Sequence, residues 1–389
     1  MGSQKRQEEQ QLEREQNKRA RRQIRDRLKS ELAQNESRWR WSDGGITFFN
    51  LRRRNHSPPV VEDLPLAAEE IPGALISRLR DPSLAPGTFS GAVYRHEGDI
   101  LREFLEQDAL TQQRQSRRVN MPVMERERID QADRLYDTCV YLGRWSHRFG
   151  PFLLESLARA WYLLEADRSI SILVHGWSDR LEVPPFASSI LAALDVQPSR
   201  IRIVATRDLK VRKLIVPTAQ FWPGIKASRG MCIAFDHVRE KMLRHRPAHP
   251  RTPEKVYFSR RGLHEVPAAG TVGSAVENEE EAEALFRRAG YEILRPELLT
   301  IEEQLAIVAN ATHVAGTSGS ALHLMMFNAN PRARLIELRT RAAVNQLLIG
   351  AIRGHEAFHI SCRSKNGSPD GIVLDMDVVE RAMREIAAG

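Results

Sequence analysis

Cysteine is nearly absent from this chain of 389 residues: Cys139, Cys232 and Cys362 stand far apart and without metal-ligand spacing. So sparse and odd a set argues against a disulfide framework and points to a reducing compartment. No apolar run approaches the roughly twenty residues of a membrane-spanning helix, and the opening residues lack the apolar core of a secretory signal, so a cytoplasmic protein is expected. Aromatic residues make up 6%, and none stands among the charges of residues 4–36. With acids interleaved among the bases there, specific nucleic-acid recognition is not expected. Acids are outnumbered, 50 against 58 Lys and Arg, which gives a net charge of +8 and favours an anionic partner such as a nucleotide or a phospholipid surface.

The length exceeds what one hydrophobic core usually serves, so two domains are expected. Residues 1–38 read as a charged helical arm, held by i,i+4 ion pairs and able to meet an anionic membrane surface or a partner helix. Residues 39–90 hold Pro58, Pro59, Pro65, Pro72, Pro82 and Pro86, and read as a connector lying on the first lobe. From residue 91 to 245 strands and helices alternate: strands at 138–142, 170–174, 201–204 and 214–217, and helices at 152–164 and 188–194. Residues 246–365 form a second such lobe, with the hinge at 245–253. Residues 366–389 supply a strand and a closing helix. Both lobes are therefore α/β with parallel sheets.

Residues 255–338 carry the densest signals. Lys255-Val256-Tyr257-Phe258 is a strand ending in Ser259-Arg260-Arg261. Asn278 followed by three glutamates marks a helix start, and Gly290 its stop. Thr300 and Glu303 form a capping box. A strand at 313–315 runs into Gly316-Thr317-Ser318-Gly319-Ser320, a helix follows, and 335–338 closes the pattern with Glu337 at a strand end. Such β-α repeats bind ligands beyond the carboxyl ends of their strands. Arginine offers a planar fork for phosphate, while a glycine turn opening a helix presents amide donors to an anion. Ser259, Arg260, Arg261, Gly316, Ser318, Gly319 and Ser320 are thus candidate diphosphate ligands, and Glu337 could accept bonds from a ribose. Surface ion pairing of the arginines with 279–281, helix capping by Ser320 and an exposed acid at Glu337 are the plain alternatives.

Tyr257-Phe258-Ser259-Arg260, Asn278-Glu279, Gly290-Tyr291-Glu292, Pro296-Glu297, Glu303-Gln304, Gly316-x-x-Gly319-Ser320-Ala321-Leu322, Phe327 and Glu337 together resemble the core pattern of glycosyltransferase family 61. Phe149-Gly150-Pro151-Phe152-Leu153-Leu154-Glu155-x-Leu157-x-Arg159 resembles its N-terminal motif. The resemblance implies a GT-B-like fold of two Rossmann-like lobes, a terminal helix packing back towards the first lobe, and inverting transfer from a nucleotide-sugar donor to a glycan acceptor. It also implies surface-polysaccharide synthesis, without a required cofactor or metal. An inverting transfer needs a base on the acceptor side, for which His147 and Glu155 are the candidates. Glu155 could instead pair with Arg159 at i,i+4.

Two other readings stand beside it. Ser274, Pro151 and Ser318 occupy places where the family often carries Arg, His and His, which motivates a non-catalytic binding protein on the same fold. Ser318, Glu337 and then His355 or His359 follow the chain order of a serine-hydrolase triad. Asp375-Met376-Asp377 mimics a metal-binding acid pair, but its place before a helix favours capping.

Overall fold

The computed structural model describes residues 39–43, 45–50, 60–85, 88–104, 119–244, 253–261, 276–340, 344–364 and 372–388. The arm at 1–38 and nearly all of the hinge at 245–253 lie outside the described residues.

The fold is mixed α/β with two largely parallel sheets. The C-terminal sheet runs Arg40–Asp43, Ile46–Phe49, Glu356–Ser361, Arg334–Arg339, His313–Thr317, Lys255–Phe258 and Glu292–Leu294, parallel throughout except for the first hairpin pair. In the N-terminal sheet Leu209–Pro217, Asp133–Arg144, Ser171–His175 and Ile201–Val204 are parallel. Short antiparallel strands at Ala68–Pro72, Leu75–Ile76 and Val93–Tyr94 extend it. Parallel strands are covered on both faces, which is why Leu335, Ile336 and Leu338 are all buried and why their strand reads as an apolar run.

Three expectations are corrected. Residues 39–50, placed in a connector on the first lobe, instead form the hairpin that edges the other sheet. The prolines that argued for loop begin only at Pro58, and the consecutive aromatics Phe48 and Phe49 point to opposite faces, each joining a different core cluster. The single helix expected over 152–164 is broken into an α turn at Phe149–Pro151, a π turn at Phe152–Ser156 and a 3-10 helix at Ala160–Leu164. Polar anchors pull it off α geometry. Ser156 Oγ bonds the Arg144 carbonyl at 2.7 Å, Arg159 Nε the Pro217 carbonyl at 2.9 Å, and Trp161 Nε1 the Thr218 carbonyl at 3.0 Å.

The terminal helix Met376–Ala387, third, does not pack towards the first lobe. Its Val379, Ala382, Met383 and Ile386 share a cluster with Tyr257, Phe286, Ile336 and Phe358 of the C-terminal sheet and its helix. Asp375 caps it by accepting the Val378 amide at 3.2 Å, the role favoured over metal binding. Thr300 and Glu303 form the capping box as expected. Asn278 heads its helix but makes no side-chain cap. Its amide group clamps the Leu374 backbone, donating to the carbonyl at 2.9 Å and accepting the amide at 2.8 Å.

One apolar cluster runs between the sheets, from Val140, Phe152 and Ile190 to Val256, Leu322 and Leu335. Phe235, on the helix Met231–Arg244, meets Phe327 at its centre with ring centroids 4.7 Å apart. Phe48 belongs to this cluster and is fully buried. Phe48→Ala is expected to cost about 3–5 kcal/mol, the usual result of emptying a buried phenylalanine site, as read from the denaturant midpoint at an unchanged m-value.

Candidate functional site

A single row of residues crosses the C-terminal sheet: Phe258, Gly316, Glu337, His359 and Phe48 stand in register on neighbouring strands. Register puts the Glu337 and His359 side chains on one face, and both are 0% exposed. Glu337 Oε1 accepts the Ser318 hydroxyl at 2.6 Å, Oε2 lies 2.5 Å from His359 Nδ1, and the imidazole stacks on Phe48 with centroids 5.5 Å apart. Burial pushes the Glu337 carboxyl up, but the bond and charge of His359, with help from Arg339 and Ser318, outweigh it and hold the group below its ordinary range. Burial pushes the His359 imidazole down, and Glu337 restores it only in part. Both directions fit a carboxylate accepting Nδ1–H from a neutral imidazole.

Glu337 is therefore neither an exposed acid nor a direct ribose ligand. It lies in the middle of the strand Arg334–Arg339 with both oxygens engaged inside the protein. The same geometry removes the hydrolase reading, because the Ser318 hydroxyl donates to a carboxylate instead of to a histidine, and His355 is bonded to the Asn328 carbonyl at 2.9 Å.

The glycine turn sits above Glu337. The strand extends to Thr317, and a 3-10 helix occupies Ser320–Phe327. Ser318 N–H donates to the Leu338 carbonyl at 3.0 Å. The Ser318 carbonyl accepts Arg260 Nη1 at 3.3 Å, and the Gly319 carbonyl accepts Gln346 Nε2 at 2.9 Å. The amides of Gly319 and Ser320 take no backbone acceptor among the turn, loop and cap bonds of the described residues. Ser320 is the first residue of the helix and provides no cap. Gly316 lies in the ladder, where a Cβ would stand 3.1 Å from the Phe258 carbonyl oxygen.

Of the strand-end residues, Arg260 alone reaches the turn. Its amide donates to Glu279 Oε1 at 3.1 Å, and the same oxygen accepts the Tyr257 phenol at 2.9 Å. Burial raises the Glu279 carboxyl despite these bonds. Ser259 is buried and donates its hydroxyl to Glu283 at 2.7 Å, while Arg261 pairs with Glu280 and Glu283. Both thus serve the helix Glu279–Arg288, the plain alternative for Arg261.

The N-terminal motif meets the turn directly. A Cβ on Gly150 would fall 2.9 Å from Ser320 Oγ and 3.1 Å from His323 Nδ1, so only glycine allows 149–151 to press on the first turn of Ser320–Phe327. Glu155, in the π turn beyond, pairs with Arg144 and not with Arg159, whose Nη2 goes to Glu103 at 2.8 Å. Glu155 lines a cavity of about 220 Å³ against the N-terminal sheet. His147 stands outside that lining, half-buried, with Nδ1 3.2 Å from Glu182 Oε2.

His323, Gln346 and Arg144 escape sequence reasoning, and His359 entered it only as a candidate histidine of a hydrolase triad. His323 left a trace, as a lone imidazole inside the apolar run Leu322–Phe327; Gln346, Arg144 and the bond of His359 to Glu337 are recognisable only by strand register or by contact.

Arg260 and the amides of Gly319 and Ser320 thus lie together beyond the carboxyl ends of a parallel sheet, the place where α/β proteins bind their ligands. Residues 149–336 match the family described as Glycosyltransferase 61. Over that stretch, just under half of the chain, the protein is similar to glycosyltransferases of that family. No curated protein is significantly similar to it.

His359 and His355, the latter pushed down to about 4 by burial, remain neutral in the folded protein where the unfolded chain titrates near 6.5. A depressed histidine stabilises above the unfolded value and loses that contribution as pH falls. The melting temperature should therefore drop between pH 6.5 and 5, with Glu337 adding to the loss below its unfolded value of 4.5. His359→Asn should flatten, but not abolish, the slope in the upper window when melting is followed by calorimetry.

Proposed function

We propose that the protein is an inverting glycosyltransferase of GT-B-like arrangement. In this reading a nucleotide-sugar donor binds at the carboxyl ends of the C-terminal sheet, and a glycan hydroxyl approaches from the N-terminal sheet. The observation that carries the reading is the contact of Gly150 with Ser320 and His323, which brings the two family motifs to one place. Arg260 and the amides of Gly319 and Ser320 would receive the diphosphate, and their positive ends offset the charge that develops on it as the anomeric bond breaks.

Glu155 is the better base of the two expected, because it lines a cavity able to hold an acceptor and His147 does not. Its carboxylate would take the hydroxyl proton as the acceptor oxygen attacks the anomeric carbon from the face opposite the leaving diphosphate. No cation is required in this scheme. Surface-polysaccharide synthesis at the inner face of a membrane is the setting we infer, in keeping with the family and the basic charge of the chain.

Arg260→Ala should weaken binding of uridine and guanosine diphosphates about tenfold or more by calorimetry, the effect of losing one charge-assisted phosphate contact. Unchanged affinity in a folded variant would falsify the donor assignment. Glu155→Gln should abolish turnover with nucleotide affinity intact, the pattern of lost chemistry, whereas His147→Ala should retain it. Transfer should also persist in excess chelator; a requirement for added magnesium would sink the cation-free scheme.

A further inference from the structure

The cavity against the N-terminal sheet has the build of a saccharide site. It opens where Asp133–Arg144 and Ser171–His175 end, and its 220 Å³ falls below the roughly 300–1,000 Å³ of pockets for drug-sized ligands. A nucleotide sugar is too large for it, whereas one pyranose ring is of the right size.

Its polar groups are held in place from behind. His175 Nε2 lies 2.8 Å from the Ser77 carbonyl, which can only accept, so Nε2 carries the proton and Nδ1 accepts the Tyr141 phenol proton at 2.7 Å. Arg159 is buried, with its Nε and Nη2 engaged by Pro217 and Glu103 and its Nη1 against Gly143. Each cation of the cavity has a carboxylate partner, Arg144 with Glu155 and Arg159 with Glu103. The interior is rich in donors and acceptors yet balanced in charge, which suits a neutral polyol better than an anion.

Two glycines shape the wall. Gly91 and Gly143 have φ of +117° and +97°, and a Cβ would fall 2.9 Å from Leu79 Cδ1 at the first and 3.0 Å from Arg159 Nη1 at the second. Phe89 and Trp222 add aromatic surface, the material on which the C–H face of a sugar ring packs. This surface continues outward. Trp177, two residues beyond the strand Ser171–His175, meets Phe89 edge to face at 5.2 Å and is 44% exposed.

We infer that the cavity takes the terminal ring of a neutral glycan chain and that the next ring lies across Trp177. The acceptor is then an oligosaccharide end, not a free monosaccharide. This rests on the transferase reading for its purpose but not for its test.

Saturation-transfer NMR and titration on the full chain, without donor, would use methyl glycosides of glucose, galactose and mannose, their disaccharides, and glucuronic acid. At least one disaccharide should bind about tenfold tighter than its methyl monoglycoside. Trp177→Ala should remove that advantage without changing the melting temperature, and Glu155→Gln should weaken both ligands. Absence of binding by every neutral saccharide, tighter binding of glucuronic acid, or a disaccharide advantage that survives Trp177→Ala would each overturn the inference. Uridine and guanosine diphosphate titrated into the same samples separate the two claims. Nucleotide binding without saccharide binding removes the cavity assignment alone, and saccharide binding without nucleotide binding leaves the cavity and removes the transferase.

Discussion

A carboxylate sealed from water is tolerable only when its oxygens are bonded, and Glu337 meets that condition from two directions. Through His359 it ties its strand to Glu356–Ser361, and through Ser318 it fixes the glycine turn. The turn's carbonyl then holds Arg260, whose amide is held by Glu279, which also takes the Tyr257 phenol. A continuous hydrogen-bonded path thus runs from the centre of the C-terminal sheet to the start of the helix Glu279–Arg288. Deleting any one member leaves a buried group without its partner, which costs more than the bond itself contributes. The amides of Gly319 and Ser320 owe their position to this path.

The other half of the site depends on close approach. Gly150 lets the N-terminal motif lie against Ser320 and His323, and the wide π turn that follows places Glu155 beside Arg144. Single π turns inside helices are frequent at functional sites because the extra residue per turn redirects one side chain. Here the redirected region faces the cavity. Charge is divided accordingly: the turn offers unmatched positive ends, and the cavity offers paired ions.

Much of the C-terminal sheet was legible because its strands are apolar runs and its helices Glu279–Arg288 and Met376–Ala387 carry acids first and bases last, features set by local physics. Thr300 and Asp375 cap as their spacing requires. The strand Ile46–Phe49 was missed because a short apolar segment beside a charged arm carries no sign of a partner more than three hundred residues away. The helix expected at 152–164 failed for the opposite reason: its apolar periodicity is good, but Ser156, Arg159 and Trp161 find backbone partners that α geometry would deny them. At the site, residue types pointed to Arg260 and the glycine turn. They could not tell that Ser259 and Glu337 face inward or that Arg261 turns to pair with the helix Glu279–Arg288, since that depends on which side of a strand end the chain turns.

The hairpin Arg40–Phe49 also decides how the chain must assemble. The C-terminal sheet draws two strands from before residue 50 and five from residue 255 onward, so the N-terminal sheet is enclosed between them. During synthesis the hairpin emerges first, yet Glu356–Ser361, the strand it pairs with, emerges almost last. It must wait with Phe48 and Phe49 unburied while the enclosed sheet forms. Such distant pairing is slow and leaves an open strand edge in the interim. A fragment cut at the hinge would lack this edge and the ring that covers His359, so the donor-side half is not a self-sufficient unit, whatever its β-α rhythm suggests.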